Sequence, residues 1–531
     1  MSGAPRCKDS PSGRNRKRDG QRDSKRRVLL LKLNRSVWGF LAIGIAIRCV
    51  ALNQPLIDAH LLRQCFTAAA AKDLIDEPDF HLSSRVSWMG DVDVRYIQEL
   101  PIYNYFVVGV HRLFGNLDLS GKVASILLWG ASFVCLQFIW RRILNPQQAF
   151  WANLVFVIAP LSVFFGQAFM PEMLVQALAF AFVLLVLRYD ENPSLIRWSL
   201  CAGIGLAALL VKLPETAHLY LILGFLVFLR EGRKALVRPR YLIAAALTIV
   251  ALKLWGNHID AVNVGPLSMD SSAGKLSGYI GTLDSRFHFL PWAMVGLYLA
   301  AFIVPGPATL ITAYGLWVFL RAPREKLLGP WMLSLLLFYL LWFGVGPNSQ
   351  NYYNLPALAP LCALFGIGMT SILEWQKLLR WRRTVAVVAI LLVVLPAIPI
   401  CQYLFKQDRQ ILAAALWTKE NTQPGDVILF RPTHRWDMIE HPYNPVLAYY
   451  SERPTFVWTA ITPEPYRRMA MERARYAVVT LPQSSAPSGL LGALNRFRGS
   501  SLPHPESLVW LEECGFRVFA TEKGFVVYRR N

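Results

Sequence analysis

The sequence predicts a multi-span α-helical membrane protein of about 11 transmembrane helices, followed by a C-terminal extracytoplasmic α/β domain. Hydrophobic residues make up 54% of the 531 residues and charged residues only 17%, which is too apolar for a soluble protein of this length. Long apolar runs recur up to residue 404, and from residue 405 short strand-like runs alternate with helical stretches. We therefore divide the chain into a tail (1–30), a transmembrane domain (31–404) and an α/β domain (405–531).

The amino-terminal tail is predicted to be disordered and cytoplasmic. Its first 27 residues carry ten Lys or Arg and three Asp, with almost no large apolar side chains. The apolar run that follows lacks a small-residue cleavage site, so we expect it to remain as the first span. The net charge of +21 does not indicate a nucleic-acid partner, because the basic residues form short clusters between apolar runs, as in loops at an anionic membrane face.

Eleven apolar runs approach the ~20 residues that a helix needs to cross a bilayer. The run at 102–115 is short and contains His111 and Arg112, so we interpret it as an interfacial helix and not as a span. This interpretation decides on which side every later loop lies. The eleven runs lie near 34–52, 121–140, 149–166, 172–188, 197–212, 216–230, 240–256, 291–320, 330–346, 353–373 and 384–404.

The distribution of basic residues supports this topology, because cytoplasmic loops of membrane proteins carry an excess of Lys and Arg. The short outer connections hold three basic residues, Lys212, Lys275 and Arg286, against sixteen in the predicted cytoplasmic connections. Counting 102–115 as a span would reverse this ratio. The sixteen are Arg141, Arg142, Arg188, Arg197, Arg230, Arg233, Lys234, Arg238, Arg240, Arg321, Arg324, Lys326, Lys377, Arg380, Arg382 and Arg383.

Four segments and the α/β domain then share the outer face, which we expect to be the periplasmic side of a bacterial inner membrane. The segments are the long outer loop (53–120), the turn 166–172, the loop 257–290 and the stretch 346–356. In the last domain, GDVILF, PTFVW, YAVVTL, FRVFAT and GFVVYRR are typical of strands. The eight cysteines are scattered without a C-x-x-C pair, so neither a disulfide framework nor a zinc site is indicated.

Candidate functional residues are concentrated in the long outer loop. Asp58, His60 and Arg63 follow the first span within PLIDAHLLRQC, and Arg95 and Glu99 lie further along. Loops of this length are commonly functional, and a carboxylate at the end of a span lies near low-dielectric surroundings, where ionisable groups are costly. For each residue the alternative is a charge that only faces water, and this alternative is weakest for Asp58.

Further candidates lie at the outer ends of later spans. Glu172 opens a helix after Pro171, where it either acts chemically or only caps the positive helix end. Lys212 either binds an anion or extends toward the membrane interface. Tyr352 and Tyr353 either contact a sugar or prenyl phosphate or belong to the aromatic belt of the membrane.

The order of four motifs resembles a known enzyme class. DAHLLRQ ends the first span, and ELPIYNYFVVGVHRLFG, FMPE and NYYNLPALAPL follow on the same predicted face. Over about residues 30–400 the chain is similar to the GT-C class of polyprenyl-phosphate-sugar-dependent membrane glycosyltransferases. Within this class it resembles the bacterial branch related to protein O-mannosyltransferases and lipid A aminoarabinose transferase.

The resemblance implies catalytic positions at Asp58, Glu99 and Glu172. Protein mannosyltransferases typically carry an Asp-Glu pair directly after the first span, whereas Ala59 follows Asp58 in this sequence. This departure weakens the expectation that the acceptor is a protein, so glycan, lipid and protein acceptors all remain open.

These residue types suit the transfer of a sugar from a lipid phosphate to a hydroxyl group. Nucleotide sugars are cytoplasmic, so an enzyme of the outer face takes its sugar from a lipid carrier, most economically a polyprenyl phosphate. We expect Asp58 to accept the proton of the acceptor hydroxyl, and Arg63, Arg95 or Lys212 to neutralise the leaving phosphate. A Mg²⁺ or Mn²⁺ ion held by carboxylates is an alternative to these cations, and the DVD tripeptide at 91–93 is either a metal motif or a solvated turn.

Other functions also remain open. A polysaccharide polymerase or ligase of the outer face would share the donor, and a transporter or flippase of lipid-linked sugars would also span the membrane many times. A transporter is expected to have broken or polar helices at the bilayer midplane and two similar halves, neither of which is visible in the sequence. The expected partners are a polyprenyl-phosphate sugar, a glycan, lipid or protein acceptor, and membrane lipids, but no nucleic acid. His60 is a further substrate-binding candidate, which either shuttles a proton, acts as a ligand or is only a polar loop residue.

Overall fold

The computed structural model of the chain is mainly helical. It describes residues 35–97, 99–263, 277, 279–282, 284–321, 327–342, 351–432, 444–458, 464–481 and 509–530. The predicted cytoplasmic tail, Lys275, the stretch 346–350 and part of the loop 257–290 lie outside the described residues.

The α-helices follow one another through short connections along most of the described chain. Their bounds in chain order are α1 Arg35–Cys49, α2 Leu61–Asp76, α3 Ile102–Phe114, α4 Leu117–Ile143, α5 Pro146–Ile158, α6 Pro160–Phe165, α7 Glu172–Glu191, α8 Leu195–Val211, α9 Leu213–Glu231, α10 Pro239–Val262, α11 Phe289–Tyr298, α12 Ala308–Arg321, α13 Leu328–Leu341, α14 Leu358–Leu373, α15 Arg382–Leu404, α16 Arg409–Asn421, α17 Val446–Ser451, α18 Glu464–Arg473 and α19 Val509–Glu513.

Local sequence signals set the helix boundaries near the turn 166–172. Asn145 accepts hydrogen bonds from the backbone N–H groups of Gln147 and Gln148 and starts α5, with Pro146 at its first position. Pro160 has no N–H to donate, so α5 ends before it and α6 begins at Pro160. This break turns the chain toward the segment that leads to α7.

Among the described residues, six helices are long and apolar enough to cross a membrane, and a bent pair makes a possible seventh. The pair joins Phe289–Ile303 to Ala308–Arg321 at an angle of 108°. Two shorter apolar helices, α8 and α13, add to the helical bundle. The several apolar helices support an integral membrane protein, whereas the predicted number of about eleven spans is not confirmed. The six are Leu117–Ile143, Glu172–Glu191, Leu213–Ala235, Pro239–Val262, Asn351–Leu373 and Leu378–Asn421.

The stretch at 102–115 forms α3, a helix too short to cross a bilayer. Its buried residues include Tyr103, Val107 and Val110, which recur at helical spacing and give the helix one apolar face. Gly115 ends it with φ of 69°, in the left-handed region where glycine is favoured. This helix packs beside α2 and α4 and connects the long outer loop to the bundle.

A five-stranded mixed sheet lies in the carboxyl-terminal part, and its strands coincide with the five stretches that the sequence predicts. The strands are β3 Ile428–Arg431, β4 Thr455–Val457, β5 Tyr476–Thr480, β6 Phe516–Glu522 and β7 Phe525–Arg530, while β1 Ser84–Arg85 and β2 Arg95–Tyr96 form a separate antiparallel pair in the long outer loop. The strand order in the sheet is β4-β3-β5-β7-β6. β3 pairs in parallel with β4 and β5, and β7 pairs antiparallel with β5 and β6.

The long outer loop packs directly against this sheet. Thr455 of the edge strand β4 accepts a hydrogen bond from the N–H of Gly90 and donates its own N–H to the carbonyl of Ser87, each at 2.9 Å. Tyr450 in α17 accepts the N–H of Leu56 at 2.6 Å. The carboxyl-terminal part therefore holds the long outer loop both near its beginning, at Leu56, and further along, at Ser87 and Gly90.

Candidate active site

Lys212 lies between α8 and α9 and links two carboxylates. Its Nζ is 2.6 Å from Oε1 of Glu172 and 2.6 Å from Oε1 of Glu215. All three side chains are buried, with 7%, 0% and 2% of their surfaces exposed. Because two buried carboxylates face the Lys212 ammonium at this distance, they offset the cost of burying its charge.

The segment directly before α14 places two tyrosine rings against Lys212. Asn351–Ala357 forms a 3₁₀ helix in which Tyr352 and Tyr353 are buried. Lys212 Nζ lies 3.9 Å from the ring centre of Tyr352 and 5.2 Å from that of Tyr353. Tyr279, which the sequence did not single out, packs edge-on against Tyr353 at 6.2 Å between ring centres.

Arg63 of α2 and Glu99 form a second ion pair close to Lys212. Burial lowers the pKa of the Arg63 guanidinium, but Glu99 and other negative groups raise it, with a net increase. Its Nε is buried and has no hydrogen-bond partner among the described residues. We refer to Arg63, Glu99, Glu172, Lys212 and Glu215 together as the Lys212 cluster.

A cavity of about 180 Å³ opens beside the Lys212 cluster. Arg63, Glu99 and Lys212 form its polar side, together with the tyrosine rings. The remaining wall is apolar and comes from the facing ends of α8, α9 and α10. It includes Leu209, Leu210, Leu213, Leu252, Trp255 and Ile259. The arrangement offers buried positive charge at one end of an apolar cavity.

Asp58 is buried, with 3% of its surface exposed, and it is tied to the turn before Glu172. Gln64 Nε2 donates to Asp58 Oδ1 at 2.5 Å, and Gln64 Oε1 accepts the N–H of Phe169 at 3.0 Å. The described residues that line the 180 Å³ cavity do not include Asp58. Its carboxylate is therefore positioned by α2 and by the turn.

His60 connects the start of α2 to the 3₁₀ helix that carries Tyr352 and Tyr353. It adopts φ of 67° and precedes the helix as its N-cap residue. Its Nε2 lies 2.7 Å from Oδ1 of Asn351, and its ring packs 5.4 Å from both Phe165 and Tyr352. The contacts bring His60 to the edge of the site, beside the rings that cover Lys212.

Arg95 lies apart from the other predicted residues. It donates to Glu77 Oε2 at 2.8 Å and to the carbonyl of Ser83 at 3.3 Å, which stabilises the β1–β2 pair. Among the described residues that line the cavity, Arg95 is absent. The contacts of Arg95 are structural, and we find no contact between it and the Lys212 cluster.

The carboxylates do not combine into a metal-binding group. Among the described residues, no three His, Cys, Asp or Glu side chains lie close enough together to hold a metal ion. In the DVD tripeptide, Asp91 pairs with Arg473 at 2.9 Å and Asp93 with Arg85 at 3.0 Å. The carboxylates of the site are likewise paired with cations or an amide.

Besides Tyr279, sequence reasoning missed two residues of the site. Glu215 completes the pairing of Lys212, and Gln64 orients Asp58. A signal for Glu215 is present, because FMPE and KLPE each place a glutamate directly after a proline at the start of a helix. Gln64 carries no comparable signal, since an uncharged amide in a helical pattern is ordinary.

Residues 98–255 match the family model described as dolichyl-phosphate-mannose-protein mannosyltransferase. This match includes Glu99, Glu172, Lys212 and Glu215 and covers less than half of the chain. The comparison with curated proteins gives no match.

Solved structures resemble most of the chain. The structure of ArnT from Cupriavidus metallidurans in the apo state has a TM-score of 0.62 at 14% identity, over 93% of this chain and 97% of that chain. The same protein bound to undecaprenyl phosphate gives a TM-score of 0.59 at 15% identity, over the same shares. The oligosaccharyltransferase of Archaeoglobus fulgidus in the apo form gives 0.52 at 12% identity, over 84% of this chain and 69% of that chain. The resemblance of the sequence to the GT-C glycosyltransferases is thus confirmed, and the chain has the GT-C fold.

Proposed function

We propose that the chain is an integral membrane glycosyltransferase that moves a sugar from a polyprenyl-phosphate donor to an acceptor hydroxyl at the extracytoplasmic face. The observation that carries this proposal is the cavity in which Arg63 and Lys212 place buried positive charge at the end of an apolar wall. A polyprenyl phosphate has the matching chemistry, an anionic head on a hydrocarbon chain. The related fold of ArnT was solved with undecaprenyl phosphate bound, which supports this class of donor.

Arg63 and Lys212 bind the phosphate in this mechanism. The unpartnered Nε of Arg63 and the ammonium of Lys212 are charged donors in a buried site, where interactions with an anion are stronger than in water. They stabilise the negative charge that collects on the phosphate as the glycosidic bond breaks. Glu99 and Glu172 hold the two cations in place through their ion pairs.

Asp58 is the proposed general base. It accepts the proton of the acceptor hydroxyl as the oxygen attacks the anomeric carbon of the sugar, and the electron pair of the broken bond stays on the departing phosphate. The hydrogen bond from Gln64 keeps the carboxylate oriented, and the turn that carries Phe169 fixes Gln64. The acceptor is a glycan, a lipid or a protein, and we give the charge-neutralising role to the two cations and not to a divalent metal.

The proposed orientation places the amino terminus in the cytoplasm and the site with the carboxyl-terminal part in the periplasm of a bacterium. The ratio of sixteen basic residues to three in the connecting loops supports this orientation. It also fits a donor carried by a lipid, because nucleotide sugars stay in the cytoplasm.

A transporter is less well supported than an enzyme. The bent pair of helices α11 and α12 is the kind of broken helix that transporters use. However, its break consists of Val304, Pro305, Gly306 and Pro307, which offer no ionisable group to a substrate. A polymerase or ligase would use the same donor and differs only in its acceptor.

The test is transfer of radiolabelled sugar from a polyprenyl-phosphate donor in membranes that contain the wild type or Asp58→Asn. We expect the variant to lose at least about a hundredfold in rate, the usual contribution of a general base. Asp190→Asn, in the partly exposed pair with Arg230 on α9, is the matched control and should keep full activity. Full activity of Asp58→Asn would exclude Asp58 as the base. Movement of intact donor across the membrane, without transfer, would favour the transporter.

A further inference from the structure

The Lys212 cluster contains more negative than positive charge. Its cations are Arg63 and Lys212, and its carboxylates are Glu99, Glu172 and Glu215, so the formal sum is −1. Glu99 is paired with Arg63, which leaves Lys212 shared between two carboxylates. A site built only to attract an anion would not be expected to carry this excess of negative charge.

Glu215 is the member of the cluster that is not needed to join separate helices. It lies in the first turn of α9, three residues after Lys212, and its pairing with that lysine is local. Glu172, in contrast, lies on α7 and ties that helix to the start of α9. The local pair with Glu215 therefore adds charge to the site without adding a long-range connection.

A phosphate that binds Lys212 is held close to this carboxylate, because Lys212 Nζ lies 2.6 Å from Oε1 of Glu215. A lysine ammonium has three N–H donors, and Glu172, Glu215 and the ring of Tyr352 already surround Nζ at 2.6, 2.6 and 3.9 Å. Glu215 is 2% exposed, so water screens its repulsion of a second anion only weakly. The repulsion grows with the charge of the phosphate.

The substrate and the product of the proposed reaction differ in that charge. The donor is a phosphodiester with one negative charge. When the sugar leaves, the lipid keeps a phosphomonoester, which carries about −1.5 to −2 at neutral pH. Two buried cations alone would hold the product more tightly than the donor, and slow release of product limits many enzymes.

We propose that Glu215 weakens the binding of the phosphomonoester product relative to the phosphodiester donor and thereby promotes its release. This inference rests on the proposed function, because it concerns the two lipids of that reaction. Glu215 acts through Lys212 and through its own charge, so it is a positioning residue that sets selectivity between substrate and product. Its removal is expected to strengthen binding, whereas loss of a merely structural residue would weaken it.

The experiment measures product inhibition by undecaprenyl phosphate, its direct binding, and kcat and KM for the donor. For Glu215→Gln we expect the inhibition constant and Kd to fall about tenfold, as removal of one buried like charge predicts. Donor KM should fall less, and kcat should fall because release is slower. Glu231→Gln, at the other end of α9 and paired with Arg238 and Arg240, is the matched control and should leave all four constants unchanged.

Glu215→Ala is the second variant, and it should tighten product binding in the same direction if the glutamine variant does not fold. If the wild type binds the product but a folded Glu215 variant binds it no more tightly, this inference is overturned and the proposed function stays intact. Failure of the wild type both to bind undecaprenyl phosphate and to transfer sugar would overturn the proposed function, and this inference with it.

Discussion

The amide of Gln64 donates to Oδ1 of Asp58 at 2.5 Å and is itself fixed by the backbone N–H of Phe169. One uncharged side chain thus orients the buried carboxylate of the long outer loop with respect to the turn that precedes Glu172. A buried carboxylate keeps its orientation only if its oxygens are hydrogen-bonded, so Gln64 is a positioning residue for the proposed base.

Gln64→Leu should lower kcat for sugar transfer by about tenfold or more, because a hydrogen bond to a charged group contributes about 1.5–3 kcal/mol. Donor KM should change less, since the Lys212 cluster is untouched. Gln137→Leu is the matched control, because Gln137 is equally buried and pairs with Asn153 at 2.6 Å inside the bundle. Equal kcat values for the two variants, at equal protein stability, would contradict the role given to Gln64.

Lys212→Met should weaken binding of undecaprenyl phosphate by at least about tenfold, because it removes a charged donor from a buried site. Two buried carboxylates then lose their partner, so the variant should also be less stable, and Lys212→Arg serves as the charge-preserving comparison. Arg230→Met removes a cation from the far end of α9, the helix that begins directly after Lys212, and this variant should bind the lipid normally. The affinity of each variant for undecaprenyl phosphate is measured in lipid nanodiscs. An unaltered affinity of Lys212→Met would exclude this lysine as the phosphate ligand.

Gly166→Ala should destabilise the protein, because a Cβ at this position would meet the side chain of Arg48 and lie 2.5 Å from the carbonyl of Ser162. Arg48 is itself fixed, since its Nη2 donates to that carbonyl at 2.7 Å and its guanidinium lies 3.6 Å from the ring centre of Trp129. Overpacking of this kind costs about 1–3 kcal/mol.

Gly224→Ala is the control for this substitution, because nothing lies within 4 Å of a Cβ at Gly224. Alanine in an open helical position stabilises by up to about 1 kcal/mol. Thermal denaturation in detergent should therefore move the two Tm values in opposite directions. A Tm for Gly166→Ala at or above that of the wild type would refute the close packing around Arg48.

Tyr450→Phe should reduce transfer more than Tyr449→Phe does. Both hydroxyls donate to Asp118, at 2.9 and 2.6 Å, but only Tyr450 also accepts the buried N–H of Leu56. Loss of that acceptor costs about 1–3 kcal/mol and loosens the chain two residues before the proposed base. Parallel measurements of kcat and Tm separate the two variants, and identical kcat values would show that the Leu56 contact does not influence the site.

A reporter enzyme that is active only outside the cytoplasm should be active when fused after residue 404 and inactive when fused after Arg142. The expectation follows from the excess of basic residues in the predicted cytoplasmic connections. The opposite pattern of activity would invert the topology and place the candidate site in the cytoplasm.

Charge counting predicted much of the site, because it placed Glu172, Lys212 and Tyr352 on one face although they are far apart in sequence. The structure brings these three into contact. Loop charges report only the side of the membrane, however, and they do not distinguish residues within one loop. Arg95 and Arg63 both lie in the long outer loop, yet Arg63 lines the cavity and Arg95 holds the β1–β2 pair.

The strands of the carboxyl-terminal part were also visible in the sequence, as short apolar stretches such as YAVVTL, whose residues Tyr476–Thr480 are all buried. The number of spans was harder to predict, because an apolar run reports composition and not helix length. Pro160 divides one predicted span into α5 and α6, and α8 ends at Val211, one residue short of the lysine.

The contact between His60 and Asn351 joins residues that are 291 positions apart in the chain. Ribosomes add about 5–20 residues per second, so roughly 15–60 s separate the synthesis of the two residues. Lys212 and Glu172 are separated by only 40 positions and can pair much earlier. The charged groups of the Lys212 cluster are therefore synthesised well before the tyrosines that cover Lys212, and the site cannot be complete until Asn351–Ala357 has left the ribosome.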